Sequence, residues 1–228
     1  MEFTLYTYDW LPEFPRGFVR DIRVRWVAGE TGRPYRVATV PVQPKSGAHR
    51  AMQPFAQVPV IEDGGLTLFE SGAIVLHLAS GTPLLPEARR AEITQWLIAA
   101  LNSLEPQAME CARARLAALA PEAFGPPSPP ELTAWLRKGA TERLAALEAV
   151  MADRTWIAGD FSAADILLAD VLRLCQAEEL LDGCPALTAY VERATARPAF
   201  GKAMADHMAH WVAADESRAA TETFAKEN

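Results

Sequence analysis

The stretch QVPVIEDGGLTLFESGAIVLHL, residues 57–78, decides how the rest of the chain is read. Two short apolar runs, residues 58–61 and 66–69, flank Glu62-Asp63-Gly64-Gly65, the pattern of a β-hairpin whose turn tolerates positive φ. The second strand stops at Glu70-Ser71-Gly72, and the run Ala73-Ile74-Val75-Leu76 with Leu78 predicts a mostly apolar helix with Ser71 at its N-cap. A helix N-terminus exposes unpaired N–H groups and a partial positive charge, so a hydroxyl and a carboxylate beside it suit the two poles of an amino acid. On this reading Ser71 takes a carboxylate and Glu70 an ammonium. Pro59 cannot donate to a ladder and marks an edge, a bulge or a turn; a cis Val58-Pro59 bond would offer the N–H and C=O of Val58 to an extended peptide. An ordinary hairpin packed on a helix accounts for the same spacing without a ligand.

Upstream, Phe3-Thr4-Leu5-Tyr6-Thr7-Tyr8 alternates apolar and polar residues and predicts a first strand. A proline-containing loop, residues 9–15, precedes a helix that begins near Arg16, carries Phe18, Ile22, Val24, Val27 and Ala28 on its apolar face, and ends at Gly32 before Pro34. A second strand follows at Tyr35–Val40, so strand, helix and strand form a βαβ unit with parallel strands and a right-handed crossover. Residues 41–52 read as a loop with a short helix. The element order to residue 80 is βαβαββα.

Beyond Pro86 no strand pattern remains. Residues 87–119 read as one long helical stripe that Pro106 should kink, and the segment PEAFGPPSPP, residues 121–130, reads as a stiff loop. Residues 131–153 are helical again, with Trp135, Leu136, Leu144, Leu147 and Val150 on the stripe. Ser162 with Asp165 three residues later predicts a capping box before another apolar helix, and its loss should cost about 1 kcal/mol. Residues 187–195 and 198–212 complete the helices. The polar tail, residues 215–228, is expected to fray.

Two strings carry a resemblance. Gln53-Pro54-Phe55-Ala56-Gln57-Val58-Pro59-Val60-Ile61 and Leu68-Phe69-Glu70-Ser71-Gly72-Ala73-Ile74 resemble the glutathione-binding half of the cytosolic glutathione transferases. The Ser162/Asp165 box and Arg197-Pro198-Ala199-Phe200 resemble their helical half. Gln53 and Ala56 stand where that family usually has Asn and Gly. The resemblance implies an α/β thioredoxin-like domain over residues 1–80, then an all-α domain over residues 86–228 that supplies a hydrophobic electrophile pocket. It implies that Val58, before cis-Pro59, pairs with the cysteinyl backbone of glutathione, and that Glu70 and Ser71 hold its γ-glutamyl end. Lys45 and Gln57 are candidates for its glycyl end, with plain surface placement as the competing account. Glutathione is then a co-substrate, a small hydrophobic electrophile is its partner, and a homodimer is expected.

Composition narrows the classes. A net charge of −7 over 228 residues argues against nucleic acid or an anionic membrane surface as the main partner. The N-terminus shows no signal-peptide pattern and no apolar run reaches the roughly 18 residues of a span, so a cytoplasmic protein is expected. Cys111, Cys175 and Cys184 are widely spaced without a CxxC, and the four histidines show no ligand constellation, so neither a disulfide framework nor a metal is expected.

No triad, Walker loop or GxGxxG occurs, so a nucleophile from the protein itself is not indicated; with glutathione as the ligand, as the resemblance implies, the nucleophile is the ligand's own thiol. Lowering a thiol pKa by about 2 units takes roughly 2.7 kcal/mol of preferential thiolate stabilisation. In the family the donor is a Tyr ending the first strand, or a Ser or Cys starting the first helix. Counting back from Val24-Arg25, the latter positions fall at residues 18–21, none of which is Ser or Cys. Tyr6 and Tyr8 share one face of the strand; Tyr8, nearer its end, is favoured, and Arg16 or a backbone N–H at the helix start is the rival. The expected activity is conjugation of the glutathione thiolate to hydrophobic electrophiles. A non-catalytic binder of the same fold, or a glutathione-dependent isomerase or reductase, is the alternative.

Overall fold

The computed structural model describes residues 1–227, with side chains through residue 220. It divides into two units, residues 1–80 with 197–228 and residues 81–196. The first holds a four-stranded sheet of order β2-β1-β3-β4, from β1 (Phe3–Tyr8), β2 (Tyr35–Val40), β3 (Val60–Asp63) and β4 (Leu66–Phe69). The β1–β2 pair is parallel; β1–β3 and β3–β4 are antiparallel, the latter closed by Gly64 and Gly65 at positive φ. Alternation sets the faces of β1: Phe3, Leu5 and Thr7 are buried, while Tyr6 and Tyr8 lie half-buried on the other face.

The helices of this unit are α1 (Asp21–Thr31), α2 (Gly47–Met52) and α3 (Ser71–Ala79), giving the element order expected from the sequence. The first helix starts later than its apolar spacing suggests. Arg16–Phe18 is a separate 3₁₀ turn, and Phe18 is exposed instead of packing on the apolar face. Residues 21–28 are then buried on every side, charged ones included, because a further helix covers the outer face of α1.

That cover comes from the end of the chain. The last helix of the structure, Pro198–Glu227, packs on α1 and clusters with the sheet, whereas the sequence division placed it in the helical domain of residues 86–228. Nor does helix end near Val212, as its periodicity suggested. Asp215 is held by Arg16 and Trp10, and the expected fraying gives way to ordered helix through Glu227; Asn228 lies outside the described residues.

The second unit contains α4 (Arg90–Ala99), α5 (Glu105–Leu119), α6 (Pro121–Phe124), α7 (Pro130–Met151), α8 (Ala163–Ala177) and α9 (Pro185–Thr195), which makes the final helix α10. The expected long stripe is interrupted by a π-turn, Ala100–Leu104, just before Pro106 enters the first turn of α5, where its missing N–H costs no hydrogen bond. Residues 121–124 form one helical turn where a loop was expected, for the same reason: Pro121 occupies the N1 position. Trp135, read as part of the α7 stripe, is 69 % exposed, and Ala140, Leu144, Leu147 and Met151 bury that helix instead. Central to the unit is α8, packed by α4 and α9.

Candidate functional site

At the start of β3 the antiparallel ladder runs Thr4↔Glu62, Leu5↔Ile61, Tyr6↔Val60 and stops. Pro59 has no N–H to continue it, and the Val58–Pro59 peptide is cis. Two more steps of the same register would set Thr7 across from Pro59 and Tyr8 across from Val58. Val58 is half-buried and Gln57 exposed. Gln57 donates its backbone N–H to Gln53 Oε1 at 3.3 Å, and its carbonyl accepts from His49 Nε2 at 3.0 Å. The family's usual Asn and Gly therefore have working substitutes here. Gln53, one methylene longer, reaches the turn, and Ala56 adopts the left-handed conformation at φ +50° that a glycine takes freely.

Ser71 was expected to cap α3, but it is the first residue within the helix, and Glu70 occupies the cap position. Glu70 sits at φ +69° and ψ +113°, a conformation L-residues rarely hold, with its carboxylate exposed and its carbonyl accepting from Ile74 N–H at 2.9 Å. Strain of this kind in a non-glycine residue costs about 1–3 kcal/mol and concentrates at functional sites. Ser71 is 5 % exposed, and its Oγ accepts from Arg23 Nη1 at 3.1 Å. With the guanidinium on one of its lone pairs, the hydroxyl still has its own proton to donate. Arg23, on α1 and 2 % exposed, also adds a fixed positive charge to the dipole of α3. No sequence signal pointed to Arg23, because its partner lies 48 residues away.

The three candidate thiol donors end up in different circumstances. Tyr6 donates to Glu62 Oε2 at 2.7 Å, and this bond, then burial, holds its phenol above the usual range. Its proton is committed to a carboxylate on the neighbouring strand. Arg16 is buried and donates through Nε and Nη2 to Leu11 O, and through Nη1 and Nη2 to Asp215, at 2.6–2.9 Å. The Arg16 bond and that from Trp10 Nε1 bring Asp215 down to about 2. The Arg16 guanidinium is thereby part of the seam joining residues 9–16 to α10. Tyr8 differs from both: its Oη accepts from Lys45 Nζ at 3.3 Å, and the ammonium lies 4.6 Å from the ring centroid. Its hydroxyl proton is left for another acceptor.

Several other polar groups bond within the fold, while Asp21 Oδ1 and Arg25 Nη2 are buried without a hydrogen-bond partner among the described residues. Asp21, fully buried, takes Arg25 Nε at 2.8 Å and His207 Nδ1 at 3.2 Å; burial pushes its carboxyl up, but the contacts with His207 and Arg25 outweigh it and hold it below the usual range. His210 Nε2 donates to Tyr8 O at 2.9 Å. All three cysteines are buried thiols, and burial pushes Cys175 up to about 12. Among the described residues no cluster of three or more His, Cys, Asp or Glu side chains could hold a metal, and no helix is long and apolar enough to cross a membrane.

Comparison with known proteins follows this geometry. The family description "Glutathione S-transferase, N-terminal domain" matches residues 13–80, and "Glutathione S-transferase, C-terminal domain" matches residues 107–198. The chain is 34 % identical to glutathione S-transferase 3 of Zea mays over 203 residues, covering 81 % of this chain and 88 % of the maize protein. A glutathione S-transferase structure from Pseudomonas fluorescens superposes with a TM-score of 0.71 at 25 % identity, covering 86 % of this chain and 96 % of that one. A glutathione transferase from Burkholderia graminis, solved with two glutathione molecules bound per subunit, has a TM-score of 0.73 at 25 % identity and covers 89 % and 87 %. By both of its matched domains and a likeness spanning most of its length, the chain belongs to the glutathione S-transferase family.

Proposed function

We propose that this protein is an active glutathione transferase that conjugates the glutathione thiolate to hydrophobic electrophiles. One observation carries the reading: the start of α3 presents an exposed carboxylate on strained backbone at Glu70 and a hydroxyl at Ser71 whose lone pair Arg23 already occupies. A γ-glutamyl group brings the matching poles, its ammonium for Glu70 and its carboxylate for Ser71 and the N–H groups of the first turn. The backbone of Val58 would pair with the cysteinyl residue, and Lys45 and Gln57 would meet the glycyl end. Tyr8 would donate to the thiolate sulfur, its Oη polarised by Lys45. A homodimer and a cytoplasmic location are part of the same proposal, following from family membership.

The absence of Ser or Cys at residues 18–21 and the commitment of Arg16 to Asp215 favour a second reading, a glutathione binder without turnover. Steady-state conjugation of glutathione to chlorodinitrobenzene separates the two. The expected result is turnover by wild type and, in Tyr8→Phe, a kcat at saturating glutathione lower by roughly 10- to 100-fold, the loss of one charge-assisted hydrogen bond. Glutathione binding by calorimetry without turnover of chlorodinitrobenzene or other electrophiles would establish the second reading. Unchanged kcat in Tyr8→Phe would remove Tyr8 from the mechanism.

A further inference from the structure

His49 carries a cost that an apolar side chain would avoid. It is 0 % exposed, its Nε2 lies 3.0 Å from the Gln57 carbonyl, and its Nδ1 has no hydrogen-bond partner. A carbonyl oxygen only accepts, so Nε2 holds the proton and the bare nitrogen is Nδ1. Burying an unpaired acceptor is unfavourable. What the imidazole supplies in return is a single N–H aimed at one peptide oxygen.

That peptide is the one shared by Gln57 and Val58. It is trans, since the cis bonds of the chain are Gln43–Pro44 and Val58–Pro59. In a planar trans peptide the C=O and N–H point in opposite directions, so fixing Gln57 O toward α2 turns the Val58 N–H away from α2. Gln53, 2 % exposed, holds the preceding peptide through Gln57 N–H. Both anchors are themselves seated: Ser46 Oγ accepts from His49 N–H at 3.0 Å, and Gln53 N–H bonds His49 O at 2.9 Å. Two consecutive peptide planes leading into Val58 are therefore set by buried side chains from one short segment.

We infer that His49 and Gln53 are positioning residues for glutathione, acting through the Gln57–Val58 peptide to hold the Val58 N–H in the direction that an extended cysteinyl backbone would meet. This rests on the glutathione reading above. It predicts that His49→Phe, which keeps a flat ring and removes the donor, raises the glutathione Kd and KM by about 5- to 20-fold while kcat at saturating glutathione stays within about two-fold. His49→Gln, which restores an N–H donor, should recover at least half of that change on a logarithmic scale. A role confined to folding would lower the melting temperature and leave the Kd of folded protein at the wild-type value, and that result would overturn the inference. Gln53→Met, read on the same criterion, decides the matter if His49→Phe does not fold. Calorimetry on wild type separates the two levels: no glutathione binding there defeats the functional reading itself, whereas wild-type binding that neither variant weakens defeats only this inference.

Discussion

Two helix starts in this protein use the same residue types, a serine and a carboxylate, to opposite ends. At α8, Ser162 donates its N–H and Oγ–H to Asp165 Oδ2 at 2.9 and 2.8 Å, and Asp165 Oδ1 accepts from Ile157 N–H and Tyr190 Oη at 3.0 and 2.7 Å. Every bond begins and ends inside the fold. At α3, the Glu70 carboxylate is exposed, its backbone is strained, and the Ser71 hydroxyl accepts from Arg23 with its proton unassigned. Buried polar groups are satisfied when a site serves folding alone; donors and acceptors left facing outward, on backbone that costs energy to hold, mark a place for something else. The residue types do not distinguish the two sites, whereas the closure of their hydrogen bonds does.

The largest test of this contrast is Asp165→Ala. It strands four donors at once and should remove about 4 kcal/mol of stability at roughly 1 kcal/mol each, read by denaturant unfolding, with glutathione affinity of the folded fraction unchanged. A loss below about 1 kcal/mol would mean that the closed site is not the structural anchor described. Its pH dependence has a defined sign. Burial holds the Asp165 carboxyl above its usual range despite four bonds, so the stability it contributes is fully present below about pH 4 and declines as pH rises through the raised value. Asp165→Asn should flatten that slope.

At the open site the effects invert. Glu70→Ala or Ser71→Ala should weaken glutathione binding by about 1–3 kcal/mol in calorimetry; Glu70→Ala should change stability by less than about 1 kcal/mol, whereas Ser71→Ala also removes an acceptor from the buried Arg23 guanidinium and should cost about 1–3 kcal/mol. If either variant instead destabilised the fold and bound normally, the two helix starts would be alike and the contrast would fail. Smallest of all is Glu70→Gly. Relief of the φ +69° strain offsets the entropy lost on ordering a glycine, so its melting temperature should match or exceed that of Glu70→Ala, with affinity equally reduced.

Much of the sheet was legible because its cues are local. Period-two alternation located β1 and β2, the Gly64-Gly65 turn located the hairpin, and Gly32 at φ +67° ended α1 where the sequence expected. The Ser162/Asp165 box was readable for the same reason, since its partners are three residues apart. Errors arose where a local pattern met a distant neighbour. Phe18 and Trp135 sit at helical spacing yet are exposed, and the charged residues Arg23 and Arg25 of α1 are buried. Arg16 was weighed as a thiol donor from its place before a helix; its partner Asp215 lies 199 residues away and leaves no trace in the spacing.

By itself, then, the sequence determined the element order, the Val58-Pro59 and Glu70-Ser71 motifs, and the class of ligand they suit, because each depends on side-chain chemistry within a few residues. Tertiary structure alone decided how those groups are used. Burial of α1 on both sides brings Arg23 to Ser71, pairing across β1 and β3 commits Tyr6 to Glu62, and the packing of α2 beside the turn sets His49 against Gln57. The physical reason is common to all three: a polar side chain's role follows from which of its donors and acceptors the fold has already paired, and those pairings join residues that the chain keeps far apart.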